Sequence, residues 1–157
     1  MYVADTYNHR IQYFPRGSAT GTTVAGVSTG SWGTGFSELY YPADIHVDAN
    51  RAMFILDSSN CRVLKWQLGE PLGYVVAGGR GCGSQLFQIS TSYSMFVDNQ
   101  GNIYVSDNAN HRVTLWLSTN TTSGILVFFM RNNYLKDLFD INCRLQEVMV
   151  LVRFLND

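Results

Sequence analysis

The side chains that could do chemistry in this chain are mostly carboxylates, guanidinium groups and imidazoles that recur at fixed spacing. An aspartate is followed three times by an asparagine and an arginine at the same offsets. One turn with these groups could hold an acid–base pair, but a single active site needs different residues from different repeats. The recurrence therefore predicts hydrogen-bonding elements that fix a repeated turn. The nine residues are Asp5, Asn8, Arg10, Asp57, Asn60, Arg62, Asp107, Asn110 and Arg112.

Three other residues have the chemistry of zinc ligands. His9, Cys61 and His111 occupy the same place in three copies of one phrase. Equivalent positions in successive repeats are separated by far more than zinc–ligand bonds of about 2.0–2.3 Å. We therefore predict three separate surface residues, no metal site and no cofactor.

Residues that break the repeat are the candidates for binding or catalysis. His46 corresponds to Phe96 fifty residues later, and Asp44 and Tyr93 are the other polar candidates near it. A metal-dependent enzyme that uses these groups stays an alternative, although no residue is assigned a catalytic role.

Two glycine-rich loops carry further candidates. The GGRGCG segment at 78–83 lacks the Lys-Ser/Thr pair that opens a helix in a phosphate-binding loop, so we interpret it as a connection between repeats. The corresponding first loop adds Trp32, an aromatic contact candidate on a rigid scaffold. The predicted binding residues are Trp32, His46, Arg80 and Tyr93.

The elements that position these residues follow from a triplicated phrase. YVADTYNHRIQYF, FILDSSNCRVLKW and YVSDNANHRVTLW begin 52 and then 50 residues apart. A period of about 50 residues indicates one supersecondary unit copied along the chain. Short apolar runs separated by Gly, Asn, Asp and Ser predict strands and turns, in the middle unit near 43–48, 52–57, 62–67 and 73–77. The fold class is therefore all-β, with four antiparallel strands in each unit.

The phrase resembles the NHL repeat, whose name comes from its Asn-His residues. Asn8-His9-Arg10 and Asn110-His111-Arg112 match it, whereas Cys61 replaces the histidine in the middle copy. The Pro-x-x-Ile-x-Val-Asp pattern at 42–48 is also similar to the family, and the third copy has Ser92 in place of the proline.

This resemblance covers about residues 1–123 and implies a partial β-propeller of NHL-type four-stranded blades. It implies a scaffold that recognises a protein, a peptide or another ligand. Two alternatives follow from other families of the same type: a metal-dependent enzyme like the amidating lyases or lactonases, and an RNA-binding domain. The recognition scaffold is the reading we favour, and we lean away from an enzyme.

The repeat is incomplete at both ends of this sequence. Met1 aligns with Met53, inside a repeat, so we expect a truncated first blade followed by two further repeats in a fragment of a longer chain. Residues 124–157 do not return to the period. They predict either an amphipathic helix over about 134–154 or aberrant sequence that does not belong to the fold.

Charge, hydropathy and cysteine content limit the partners. The net charge is −1, without a run of basic residues, so nucleic acid is not the expected partner. Charged residues interrupt each long apolar run, so no membrane span is predicted. The three cysteines do not repeat and imply no disulfide framework. Asn120-Thr121-Thr122 is a glycosylation sequon, a triplet that also arises often by chance.

Overall fold

The chain folds into three antiparallel β-sheets in a computed structural model that describes residues 1–129. Each sheet follows chain order, so every strand pairs with its neighbour in sequence. The first sheet comprises β1 (Tyr2–Asp5), β2 (Arg10–Tyr13) and β3 (Thr22–Gly26). The second comprises β4 (Pro42–Val47), β5 (Met53–Asp57), β6 (Arg62–Trp66) and β7 (Tyr74–Gly78). The third comprises β8 (Ser94–Val97), β9 (Ile103–Asp107), β10 (Arg112–Leu117) and β11 (Asn120–Phe129).

The predicted all-β class is confirmed, and the four strands of the middle unit lie within one residue of their predicted bounds. The agreement arises because apolar runs and turn residues alternate sharply there. The third sheet includes β11, which pairs with β10 and runs to Phe129, beyond the residue 123 at which we expect the repeat to end. The predicted helix over about 134–154 lies outside the described residues.

The second sheet is buried on both of its faces. In β5 the alternate residues Met53 and Ile55 pack with the first sheet, whereas Phe54 and Leu56 pack with the third. Alternation at a period of two places such neighbours on opposite faces of a strand. Because both sets are apolar and fully covered, the three sheets must stack face to face, with the second sheet in the centre.

The hairpin turns that follow β1, β5 and β9 share one backbone geometry. Each is a short 3-10 turn that ends on a residue with left-handed dihedrals: His9, Cys61 or His111. The left-handed conformation thus falls on the His or Cys position of each phrase. Glycines at 26 and 78 then pass so close to the carbonyl oxygens of His9 and Cys61 that a Cβ would overlap them. Packing of the turn thus accounts for the glycine that ends the Val-Ala-Gly sequence at 24–26 and again at 76–78.

The Asp–Asn–Arg trio holds each turn to a neighbouring loop. In the second sheet the Asp57 carboxylate accepts hydrogen bonds from Arg62 Nε at 2.7 Å and Asn60 Nδ2 at 2.8 Å. The remaining Arg62 nitrogens donate to the backbone carbonyls of Thr34, Gly35 and Glu38. Arginine suits this role because its planar group offers five donors in a fixed arrangement. The trio therefore fixes the turn and also secures the loop that leads into the sheet.

The third sheet repeats this arrangement and the first sheet has a reduced form of it. Arg112 pairs with Asp107 at 2.7 Å and donates to three carbonyls of the loop at 84–88. Arg10 pairs with Asp5 at 2.9 Å and reaches one carbonyl, that of Ser28. About a quarter of the Asp5 and Arg10 side chains is exposed, whereas the Asp57 carboxylate is fully buried.

Equivalent arginine deletions should differ in cost because of this difference in burial. We expect Arg62→Ala to lower the free energy of unfolding by about 3–5 kcal/mol, since it leaves a buried carboxylate without its cation. Arg10→Ala should cost about 1 kcal/mol or less, as for other exposed ion pairs. Urea unfolding monitored by tryptophan fluorescence measures both. Equal losses for the two variants would contradict the role assigned to burial.

Candidate functional site

Five aromatic rings meet at the junction between the first and second sheets. We call Tyr7, His9, Trp32, Tyr40 and Tyr41 the aromatic cluster. Trp32 stacks on Tyr40 with ring centroids 4.7 Å apart, and His9 lies edge-on to Tyr41, also at 4.7 Å. Tyr41 also contacts Tyr7 at 5.9 Å and Tyr40 at 5.2 Å. The rings form one continuous group, because each of them contacts at least one other member.

The aromatic cluster is built on turns and loops and is largely open to solvent. Tyr7 lies in the first 3-10 turn and is 84% exposed, and Trp32 lies in the loop after β3 and is 59% exposed. His9 is buried beneath them, and its Nδ1 accepts a hydrogen bond from the Tyr41 backbone N–H at 3.1 Å. The Tyr40 backbone N–H donates to the buried Asp57 carboxylate at 2.6 Å. Rigid backbone contacts thus hold a set of exposed rings in place.

The junction between the second and third sheets has the same framework. The Thr6 hydroxyl donates to the Pro42 carbonyl across the first junction, and the Ser58 hydroxyl donates to the Ser92 carbonyl across the second. The backbone N–H groups of Gly33 and Gly83 likewise each donate to a backbone carbonyl within their own loop, and the two carbonyls occupy the same position of the repeat. Serine replaces proline at position 92 without loss of this contact, since the hydroxyl donates to the backbone carbonyl, and the Ser92 backbone N–H also donates to the Ser58 hydroxyl at 3.3 Å.

The aromatic cluster itself is absent from the second junction. At the repeat offsets of 52 and 50 residues, all five of its members have non-aromatic counterparts. In the order of the cluster, these counterparts are Ser59, Cys61, Cys82, Ser90 and Thr91. The cluster therefore is not required by the repeated fold. It is a local feature added to one junction, which is what a binding site on a repeat scaffold would look like.

A disulfide bond joins Cys61 to Cys82 at the second junction. The sequence reading that the cysteines imply no disulfide is thus wrong. The two cysteines occupy the places of His9 and Trp32, so the fold brings them together across 21 residues of chain. The prediction of three separate surface residues is also wrong for His9 and Cys61, which the packing against the next sheet buries. His111 is exposed, as predicted.

The four predicted binding residues occupy different places. Trp32 belongs to the aromatic cluster, whereas Arg80 is exposed on the corresponding loop at the second junction, 6.0 Å from the ring of Phe87. His46 is half-buried on β4, where it faces Phe54 across the strand pair. Tyr93 is exposed just before β8. Within residues 1–129 no hydrogen bond or ring contact joins any two of the four.

Sequence reasoning found Trp32 but missed the other members of the aromatic cluster. Tyr7 and His9 come from one segment and Tyr40 and Tyr41 from another, and only the stacking of sheets makes them neighbours. A signal was present in the alignment of the copies, since each of these aromatic residues corresponds to a small residue one repeat later.

Asp44 connects the second and third sheets. Its carboxylate accepts hydrogen bonds from the backbone N–H of Met95 at 2.9 Å and from the hydroxyl of Ser94 at 3.2 Å, both on β8. The Ile45 backbone N–H donates to its other oxygen at 2.8 Å. Burial raises the pKa of the Asp44 carboxyl above its ordinary value of 3.8, and these hydrogen bonds together with the His46 charge oppose the rise. Both of its oxygens are thus engaged in structural contacts.

The described residues contain no arrangement typical of a metal centre. Within residues 1–129 no three His, Cys, Asp or Glu side chains are grouped so that they could share an ion. That part of the chain also lacks any helix with the length and apolar character needed to cross a membrane. The aromatic cluster, which offers stacking surface and hydroxyl groups, has the chemistry of recognition.

Comparison with known proteins finds no protein-family model that matches the chain and no curated protein that matches it.

Reduction of the disulfide should destabilise the protein. The bond closes a loop of 21 residues, for which loss of the cross-link costs about 2–4 kcal/mol. We expect Cys82→Ser to lower the unfolding midpoint in urea to the value that the parent protein shows in excess dithiothreitol. Cys143→Ser serves as the control and should leave both midpoints unchanged. A midpoint insensitive to dithiothreitol would contradict the bond.

The raised pKa of Asp44 predicts a dependence of stability on pH. Because the folded state holds this proton more tightly than the unfolded state, the contribution is fully present below pH 3.8 and is lost as pH rises through the folded pKa. We expect the stability of the parent protein relative to Asp44→Asn to decrease between about pH 3 and pH 7. Urea titrations of both proteins measure this difference. A difference that grows with pH would contradict burial as the dominant cause.

Proposed function

We propose that this chain contributes NHL-type blades to a β-propeller that serves as a recognition scaffold for a protein or peptide. Four-stranded antiparallel meanders that stack face to face are the building blocks of propellers. The β4–β7 and β8–β11 sheets have this form, and the phrase with Asn-His-Arg recurs at the same turn of each sheet with a single Cys substitution. These features support the propeller proposal together.

The observation that carries the recognition proposal is the aromatic cluster. Tyr and Trp dominate binding hot spots because they offer large contact area at a low cost in conformational entropy. Here Tyr7, Trp32 and Tyr41 expose their rings, while buried His9 and the Tyr40 backbone fix them from below. The equivalent positions of the next repeat carry no aromatic ring. The repeated fold therefore does not require the cluster, and its exposed rings support the proposal of a binding role.

A peptide segment fits this surface better than RNA does. Nucleic acid bases also stack on aromatic rings, but such sites pair them with cations that follow the phosphate backbone. Arg10, the arginine nearest to the cluster in sequence, is engaged by Asp5 and the Ser28 carbonyl. The enzyme alternative has a similar difficulty, since the Asp44 carboxylate already accepts three hydrogen bonds within the fold.

Selection of a phage-displayed peptide library against the full-length protein tests the proposal. We expect the selected peptides to lose affinity at least tenfold, about 1.4 kcal/mol, on Trp32→Ala and on Tyr41→Thr. The second change introduces the residue that the next repeat has at this position. Fluorescence anisotropy of labelled peptides gives the dissociation constants.

Tyr74→Ser is the matched control, because Tyr74 is an exposed tyrosine on β7, away from the aromatic cluster. It should leave peptide affinity unchanged. Selected peptides that bind the Trp32 and Tyr41 variants as well as the parent would exclude the cluster as the binding site. Tight binding of a single-stranded RNA oligonucleotide, or stoichiometric zinc in the purified protein, would favour one of the other two functions.

A further inference from the structure

The turn between β10 and β11 presents an asparagine in the setting that N-glycosylation requires. Asn120 follows a two-residue turn and is exposed, as are Thr121 and Thr122. These three residues form the Asn-x-Thr acceptor sequence, the sole such sequence in the chain. An exposed turn can hold a bulky glycan without displacing any packed side chain.

The local hydrogen bonds leave the acceptor nitrogen accessible. Asn120 Oδ1 accepts from the Thr122 hydroxyl at 2.6 Å and from the Thr122 backbone N–H at 3.1 Å. The threonine hydroxyl therefore lies directly against the amide group that would be modified. Asn120 Nδ2 donates to no other described residue, so attachment of a sugar there would break no contact within residues 1–129.

The disulfide is an independent observation that points to the same compartment. Structural disulfides form and persist in oxidising environments such as the secretory pathway and the cell exterior, and are rare in the cytosol. Cys61 is buried in the core between the second and third sheets, and it is paired with Cys82. The disulfide thus indicates an oxidising compartment, which is where Asn-x-Thr acceptor sequences are glycosylated.

We propose that Asn120 is N-glycosylated and that the chain matures in an oxidising secretory compartment. Asn120 Nδ2 attacks the anomeric carbon of a lipid-pyrophosphate-linked oligosaccharide, so a C–N bond forms, the C–O bond to the pyrophosphate breaks and Nδ2 loses a proton. The two cysteine thiols lose two electrons and two protons to the disulfide of a thiol oxidoreductase.

The glycan and the aromatic cluster lie at opposite ends of the strands. The cluster is built at the end where the 3-10 turns lie, and β10 runs from one of these turns to the Asn120 turn. A strand of this length spans about 20 Å. A glycan on Asn120 would leave the cluster open, so this proposal is independent of the recognition function.

Peptide mass spectrometry of the full-length protein, purified from its own cells through an added tag, tests the proposal. Trypsin cleavage after arginine releases the peptide 113–131, in which Asn120 is the sole asparagine. Treatment with peptide N-glycosidase in heavy-oxygen water should convert Asn120 to aspartate with one heavy oxygen. Without reduction, the peptides with Cys61 and Cys82 should be found linked.

Neighbouring threonines provide matched variants. We expect Asn120→Gln and Thr122→Ala to lose the glycan completely, and Thr121→Ala and Thr122→Ser to keep it. These outcomes do not depend on folding, since the glycan is added to the nascent chain. Unmodified Asn120 in the purified protein overturns the proposal whether or not the disulfide is found, and so does a glycan that persists in Thr122→Ala.

Discussion

Apolar side chains on both faces of the second sheet determine how the first and third sheets pack against it. A sheet of this kind is stable only when a neighbour covers each face, and the first and third sheets do so. Face-to-face stacking brings the ends of equivalent strands together at each junction. Loops that are distant in sequence then share one edge of the molecule. The residues of the aromatic cluster and of the disulfide, which differ between the copies of the repeat, lie at this edge.

The buried Asp–Arg pairs make this edge rigid. A connection between stacked sheets is long and glycine-rich, and its backbone carbonyls lack the partners that a strand ladder would supply. Arg62 and Arg112 supply three donors each to these carbonyls while an aspartate neutralises their charge. Each pair satisfies backbone groups that would otherwise destabilise the loop. The residues that first suggest catalysis in the sequence therefore serve to hold the loops between the sheets in place.

The two junctions share the same backbone contacts but differ in the side chains that occupy equivalent positions. Both use the same hydroxyl-to-carbonyl contact and the same glycine-mediated loop contact. At the first junction, Trp32 is held by stacking and His9 by a hydrogen bond; at the second, a disulfide takes both places. The disulfide closes the second junction covalently, whereas the first junction is held by ring stacking and a hydrogen bond and exposes the rings of Tyr7 and Trp32.

The sequence by itself determined the all-β class, the repeat period and the strand bounds of the middle unit, because these depend on local alternation of apolar residues and on turn residues between them. It also indicated Trp32 and His46 as departures from the repeat. The tertiary structure alone decided which departures meet. Tyr7, Trp32 and Tyr41 lie on three segments, and Cys61 and Cys82 are 21 residues apart, so their contacts depend on how the sheets stack. Alignment of the copies marks such residues as departures from the repeat, but it does not show which of them are in contact, because contact depends on long-range packing.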